Sequence, residues 1–329
     1  MFNKAALMWI YAEHPVHAGS GTGVGAIDLP IQRENVTNWP IIQPSGLKGA
    51  LREHFESREK HLVLSDPTYK EKIDEVFGPE AGADHAGAIA LTDAKLLLVP
   101  VCSLKGTFAY ITCPLAISRL RRDLLALRQQ INKDLLSAAT DSDIPALPDI
   151  NASPKEDEIW VAAAPQQAAN DPLVNQSDLA INNEVILNEL SFKAKPNPKV
   201  NEFSKWIGAR TSDLSWLEDK DNIFKRLAIV HDNTFKFFVE TYTEVVTRNK
   251  INNDTGIVEP GALWAEEYLP RESVLYSTVF AVKPFKNSPI LVSGGDVLNF
   301  VTKAPHVPKY LWVGGNITTG KGLVKLQFI

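Results

Sequence analysis

A single acidic side chain stands in a run of glycines. In HAGSGTGVGAIDLPIQREN, Asp28 follows Gly19, Gly21, Gly23 and Gly25, with His17 at the head of the segment. Glycine lets a backbone turn where other residues are strained and lets another molecule approach its amides closely. A carboxylate placed there can accept a proton from a hydroxyl or hold a divalent ion. His17 has the chemistry of an acid or a phosphate contact, and equally that of a structural hydrogen bonder. Downstream, PSGLKGALR opens a helix, with Ser45 in position to cap its free amides and Lys48 and Arg52 one turn apart. Together they form an anion-binding pattern. A second glycine group, GGNITTGKG, brings Gly314, Gly315 and Lys321 near the end of the chain.

Neither glycine group is a standard nucleotide loop. The first has its glycines spaced mostly by two and runs into Pro30, which stops the helix a dinucleotide fingerprint needs. The second matches G-x-x-x-x-G-K over Gly315–Lys321, but Gly322 stands where Ser or Thr would hold magnesium, and Leu323 to Ile329 alternates as a strand. A surface loop and a hairpin turn remain open for the two groups, beside the sharper reading of two amide cradles for phosphate.

The chain has 329 residues, 44% of them hydrophobic, enough for a sizeable core in one large or two modest domains. A formal charge of -5 gives no general affinity for nucleic acid, so any such contact must use a local patch. Cys102 and Cys113 form no disulfide framework or zinc pattern. The apolar run from Ala5 to Ala12 is too short to span a bilayer. The expectation is a cytoplasmic protein with no membrane partner.

Periodicity places the elements. A strand is expected over Lys4–Tyr11, an extended piece over Val36–Ile42, and a helix over Ser45–Lys60 with Leu47, Leu51 and Phe55 on its apolar face. A short helix follows over Asp66–Phe77, a loop over Gly78–Gly87 and a strand over Ala88–Val101. Cys113–Asn132 is strongly amphipathic; its Arg119, Arg121, Arg122 and Arg128 form a solvated face or a partner or RNA surface. Residues 139–178 are poor in large apolar side chains and read as an insertion. Glu184–Lys195 alternates, within a projecting hairpin across 175–198, and Asn201–Leu227 is expected to be helical. Leu227–Thr247 reads as two strands turning at His231-Asp232-Asn233, followed by a hairpin around Asn252–Gly256, a strand over Ser273–Lys283 and closing strands in Tyr310–Ile329. This order indicates an α+β fold in three parts: 1–138 with the glycine loop and basic helix, 139–227 as an insertion with the protruding hairpin, and 228–329 completing the core.

PSGLKGALREHF after a glycine loop, together with the terminal GGNITTGKGLV, resembles the RAMP superfamily of CRISPR proteins. The strings HAGSGTGVGAIDLPIQREN, WPIIQPSGLKGALR and WAEEYLPRESVLYS resemble its backbone subunits in type III-B, or Cmr, effector complexes. The resemblance runs from about residue 5 to the end and carries no motif across 139–178. It implies a ferredoxin-like core of the RNA-recognition type with long insertions. It also implies head-to-tail copies along a guide (CRISPR) RNA, contacts with other subunits of the complex, and a hairpin that splays one nucleotide. Complementary single-stranded target RNA would be cut at regular intervals in a reaction needing a divalent ion, Mg or Mn, with Asp28 as the required aspartate and ion ligand. Gly19, Ser20, Gly21, Ser45, Lys48, Arg52, Gly314, Gly315 and Lys321 are expected along the RNA, with Glu266, Glu267 and Tyr268 in second rank. Two alternatives stand beside this: a structural guide-binding subunit without catalysis, and a nucleotide-using enzyme.

Overall fold

The computed structural model describes residues 2–23, 25–63, 65–80, 82, 84–130, 152–164, 177–211, 225–286, 289–303, 305 and 307–329. The chain opens with β1 (Lys4–Ala12), whose residues Ala5 to Ala12 are all buried, so that both faces of the strand are covered. After the glycine loop come β2 (Ile41–Ile42), α1 (Pro44–Leu62), α2 (Tyr69–Phe77), β3 (Ile89–Leu91), β4 (Ala94–Cys102), β5 (Phe108–Thr112) and α3 (Pro114–Gln130). The middle of the chain supplies β6 (Glu158–Val161), β7 (Glu184–Leu187), β8 (Leu190–Pro196), α4 (Pro198–Thr211) and β9 (Leu227–Val230). The last part holds α5 (Asp232–Thr241), β10 (Glu244–Ile251), β11 (Val258–Tyr268), β12 (Val274–Ala281), α6 (Gly294–Thr302), β13 (Tyr310–Trp312), a 3-10 turn (Ile317–Thr319) and β14 (Leu323–Phe328).

Twelve of these strands form one mixed sheet in the order β13-β14-β1-β12-β4-β5-β9-β6-β8-β7, with β2 beside β4 and β3 beside β12. The chain's first long strand lies between two strands from its last quarter, antiparallel to each: Ile10 faces Leu275 of β12 and Leu326 of β14. Helices cover the sheet. Phe55 of α1 stacks on Phe300 of α6 at 5.2 Å, while Trp9 and Tyr276 meet Trp206 of α4 and Asp123 of α3. Burying aromatic side chains in this way contributes roughly 1.5–3 kcal/mol each.

Several expectations need correction. Val36–Ile42 is extended as a strand only at Ile41–Ile42. The segment 227–247 does hold two strands, β9 and the start of β10, but a helix and not a turn joins them: His231 caps α5 by accepting from the Asn233 amide, and Phe235, Phe238 and Val239, spaced three and four apart, turn to the core. The 139–178 stretch contains β6, which joins the sheet between β9 and β8. The hairpin at 175–198 does not project, because β8 pairs with β6 and β7 forms the sheet's edge. The separate two-stranded ribbon is β10–β11, with mostly exposed residues away from its root. Arg119 is not on a solvated face: it pairs with Glu34 at 2.9 Å and lies 4.8 Å above Trp39, whereas Arg121 and Arg122 are exposed. The expected positions 131–132, 139–151, 165–176 and 212–224, and the side chain of Arg128, lie outside the described residues.

Candidate functional site

Strand β11 is the spine on which both glycine segments converge. Leu29 bridges Glu266 in parallel, with the Leu29 amide donating to the Ala265 carbonyl at 3.0 Å and the Glu267 amide to the Leu29 carbonyl at 3.0 Å. This fastens Asp28, which is exposed to solvent, beside β11: one carboxylate oxygen accepts from the Ala265 amide at 2.7 Å. The other oxygen points to no hydrogen-bond donor among the described residues.

His17 links the first loop to the second. Its Nδ1–H donates to the Glu267 carbonyl at 2.7 Å, and its ring lies 5.5 Å from Tyr268. Its carbonyl accepts from the Gly315 amide at 2.9 Å. The approach needs glycine at two places. Gly314 has φ +84 and a Cβ there would fall 2.2 Å from the His17 carbonyl oxygen, while a Cβ on Gly19 would fall 2.8 Å from His17 Nε2. His17 and Asp28 therefore sit on the same rim through β11, without touching each other.

Glu266 is buried and gathers four donors. Trp264 Nε1 reaches one oxygen at 2.8 Å; the other accepts from Arg248 Nε at 3.2 Å, Asn316 Nδ2 at 3.0 Å and the Tyr268 hydroxyl. Burial alone would raise this carboxyl, but the hydrogen bonds from Tyr268, Trp264 and Arg248 hold it below the usual carboxylate range. Arg248 and Asn316 both also donate to the Tyr268 oxygen at 3.1 Å, so Glu266 joins the β10–β11 ribbon to the terminal loop. Lys321 completes the loop with its ammonium 4.6 Å above the Tyr268 ring. Neither Arg248 nor Asn316 stands out in the sequence, although Asn is among the residues that most often take the left-handed conformation, and Asn316, which follows Gly314 and Gly315, has φ 63.

Glu267 plays a structural part. Its oxygens take the Ile31 amide at 3.0 Å, Arg33 at 2.5 Å and the Thr243 hydroxyl at 2.7 Å, with 3% of the side chain exposed. Gly19 bridges Ile31, Ser20 donates to the Pro30 carbonyl at 3.1 Å, and Gly21 is open to solvent with φ +98. The basic helix is only partly as expected. Ser45 does not cap α1: the cap is Gln43, Pro44 holds the first helical position, and Ser45 lies exposed inside the first turn. Arg52 binds Glu56 at 2.6 Å and the Gly78 carbonyl at 2.8 Å, which ties it to the end of α2. Lys48 makes no hydrogen bond or ion pair among the described residues; burial and then the charge of Arg52 lower its pKa.

No group of three His, Cys, Asp or Glu side chains arranged to hold a metal occurs among the described residues. Asp28, with one uncommitted oxygen, fits the mode in which Mg or Mn takes one or two carboxylates and completes its shell with water and substrate phosphate. No helix among the described residues is long and apolar enough to cross a membrane.

A chain with this mixed sheet and two glycine turns bound to one strand beside an exposed acid has known relatives. The family model described as RAMP superfamily matches residues 9–325. The CRISPR system Cmr endoribonuclease Cmr4 of Pyrococcus furiosus is 34% identical over 328 residues, covering 98% of this chain and 95% of that protein. The CMR subunit Cmr4 of Saccharolobus solfataricus is 27% identical over 98% of this chain and 95% of its own length. Oligomeric Cmr4 from Pyrococcus furiosus superposes with a TM-score of 0.64 at 28% identity, covering 99% of this chain and 98% of that one. A subunit of a type III-B Cmr-beta complex bound to cognate target RNA, 22% identical, shares the fold with a TM-score of 0.68 over 99% of this chain and 98% of its own. This chain belongs to the RAMP superfamily, within its Cmr4 branch.

Proposed function

We propose that the chain is the backbone subunit of a type III-B effector complex, which holds guide RNA in head-to-tail copies and cuts complementary target RNA at regular intervals. The carrying observation is Asp28: an exposed carboxylate pinned by one oxygen to the Ala265 amide, between two glycine turns fixed to the same strand. The name of the Pyrococcus relative, an endoribonuclease, supports the activity. The unit β1–α1–β4–β12–α6–β14, with its strands ordered β14-β1-β12-β4 and all antiparallel, supports reading the core as ferredoxin-like.

RNA carries its own nucleophile, and a regular duplex keeps the 2′-hydroxyl out of line with the neighbouring 5′-oxygen. The β10–β11 ribbon is the element that splays one nucleotide, because Val245 and Leu263 expose apolar surface at the Asp28 end of the ribbon, suited to wedging between bases. At the splayed linkage Asp28 accepts the 2′-hydroxyl proton; the 2′-oxygen then bonds to phosphorus, the 5′-oxygen leaves with a proton from water, and a cyclic phosphate ends the upstream fragment. Such proton transfer contributes about 10²- to 10⁴-fold. In place of taking that proton, the free oxygen of Asp28 would hold a divalent ion, which would supply charge stabilisation at the phosphate. His17 steadies the loop through Glu267 and Gly315 and offers Nε2 towards Gly19 as a further phosphate contact. Gly19, Ser20, Gly21, Gly314, Gly315, Lys321 and Lys48 line the path of the guide, contacting phosphate and sugar and leaving the bases to read the target.

The decisive test is Asp28→Asn in complex reconstituted with guide. Guide retention unchanged and interval cutting reduced at least about 100-fold is the expected result. Undiminished cutting would move the chemistry elsewhere and leave a purely structural subunit.

A further inference from the structure

At the root of the β10–β11 ribbon lies a second cleft, away from the glycine loops. It has a volume of about 480 Å³, within the range of roughly 300–1,000 Å³ typical of small-ligand sites. Phe108 and Tyr242 supply two rings and Pro100 and Pro270 two flat apolar faces. Asn188, Glu244 and Arg271 supply an amide, a carboxylate and a guanidinium, none of whose side chains makes a hydrogen bond or ion pair among the described residues. The other acids at this end are already engaged: Glu272 accepts from Tyr110 at 3.1 Å and from Tyr11, and Glu189 from Tyr242 at 2.9 Å.

This is the chemistry of a nucleobase site. Rings and proline faces stack on any base. The uncommitted carboxylate of Glu244 accepts from the amino groups of cytosine, adenine or guanine, and an unpaired guanidinium meets the phosphate that follows. The position fits as well. Glu244 pairs across the ribbon with Tyr268, three residues along β11 from the Ala265 amide that holds Asp28. Adding the two strand spacings that separate Glu244 from Asp28 across β11 gives a distance of about 14 Å.

We propose that this cleft receives the base of the target nucleotide splayed beside the cut, held between Phe108 and Tyr242 and read by Glu244. The inference rests on the interval-cutting function proposed above. It adds a base preference to a reaction whose guide contacts are blind to sequence: amino-bearing bases at the splayed position are favoured over uracil, whose one pairing-edge donor, N3–H, lies between two carbonyl oxygens that repel the Glu244 carboxylate.

The test uses guide-loaded complex and targets that vary only at the splayed position. Targets with cytosine there should be cut about tenfold faster than those with uracil, and Glu244→Gln should shrink this ratio towards one while cutting continues. In parallel, 6-thioguanosine at that position, activated by light, should crosslink to peptides containing Phe108 or Tyr242. Interval cutting with equal rates for all four bases, or with crosslinks only to the ribbon tip or another subunit, would overturn the inference and leave the cutting function standing. Absence of interval cutting altogether would overturn both.

Discussion

Replacing Gly314 by alanine tests the joining of the two glycine segments. Gly314 has φ +84, and its new Cβ would lie 2.2 Å from the His17 carbonyl oxygen, which is backbone and cannot rotate away. A left-handed conformation costs an alanine roughly 1–2 kcal/mol. Relieving the clash means separating the terminal loop from His17, which removes the Gly315-to-His17 hydrogen bond at a further cost of about 1 kcal/mol. The sum is about 3 kcal/mol. Gly320 is the matched control: it has φ +77 but open space around its Cβ position, so Gly320→Ala should cost only the conformational share, about 2 kcal/mol. For a chain of this length each kcal/mol moves the melting temperature by roughly 1.5 °C. Calorimetry of the purified subunit should therefore find Gly314→Ala down by about 4.5 °C and Gly320→Ala by about 3 °C. Equal shifts for the two variants would refute the close packing of the loop on His17.

Glu267→Ala strands Arg33, the Ile31 amide and the Thr243 hydroxyl, and chemical denaturation should show a loss of about 3–5 kcal/mol. Glu266 titrates below its ordinary value in the folded chain, so its contribution to stability is complete above the unfolded carboxyl pKa and disappears as pH falls through the depressed one. Acid titration of Glu266→Gln against the parent chain should show their stabilities converging in that acid window. Lys48→Met should weaken guide RNA binding and lower the slope of log affinity against log salt by about 0.7, the loss of one phosphate contact on a single strand. Arg52→Met, whose partners are Glu56 and Gly78, should leave that slope unchanged while lowering the melting temperature.

The parts of the fold visible in the sequence were those with strong local signals. The apolar run of β1, the spacing of Leu47, Leu51 and Phe55 in α1, and the turn at Asn252–Gly256 all appear where periodicity puts them. The α5 segment was misread because His231-Asp232-Asn233 is turn-like by composition, although the same residues also suit a helix start. The α6 helix escaped notice behind its paired glycines, despite Ser293 and Asp296 forming a cap in which Ser293 accepts from the Asp296 amide at 3.2 Å. Of the site, the loops and the lone acid could be picked out. Their dependence on β11 could not, since the bond from Ala265 to Asp28 spans 237 positions. Charge alone also does not separate Lys48, which is unpaired among the described residues, from Arg52, which is occupied.

The large sheet ends in two very short margins, β7 with four residues and β13 with three. Strips this brief offer too few open amides and carbonyls to seed another chain's backbone. In the filament proposed above, successive molecules would therefore meet through shaped side-chain surfaces or the β10–β11 ribbon, and not by extension of the large sheet. Its length would then follow that of the guide RNA.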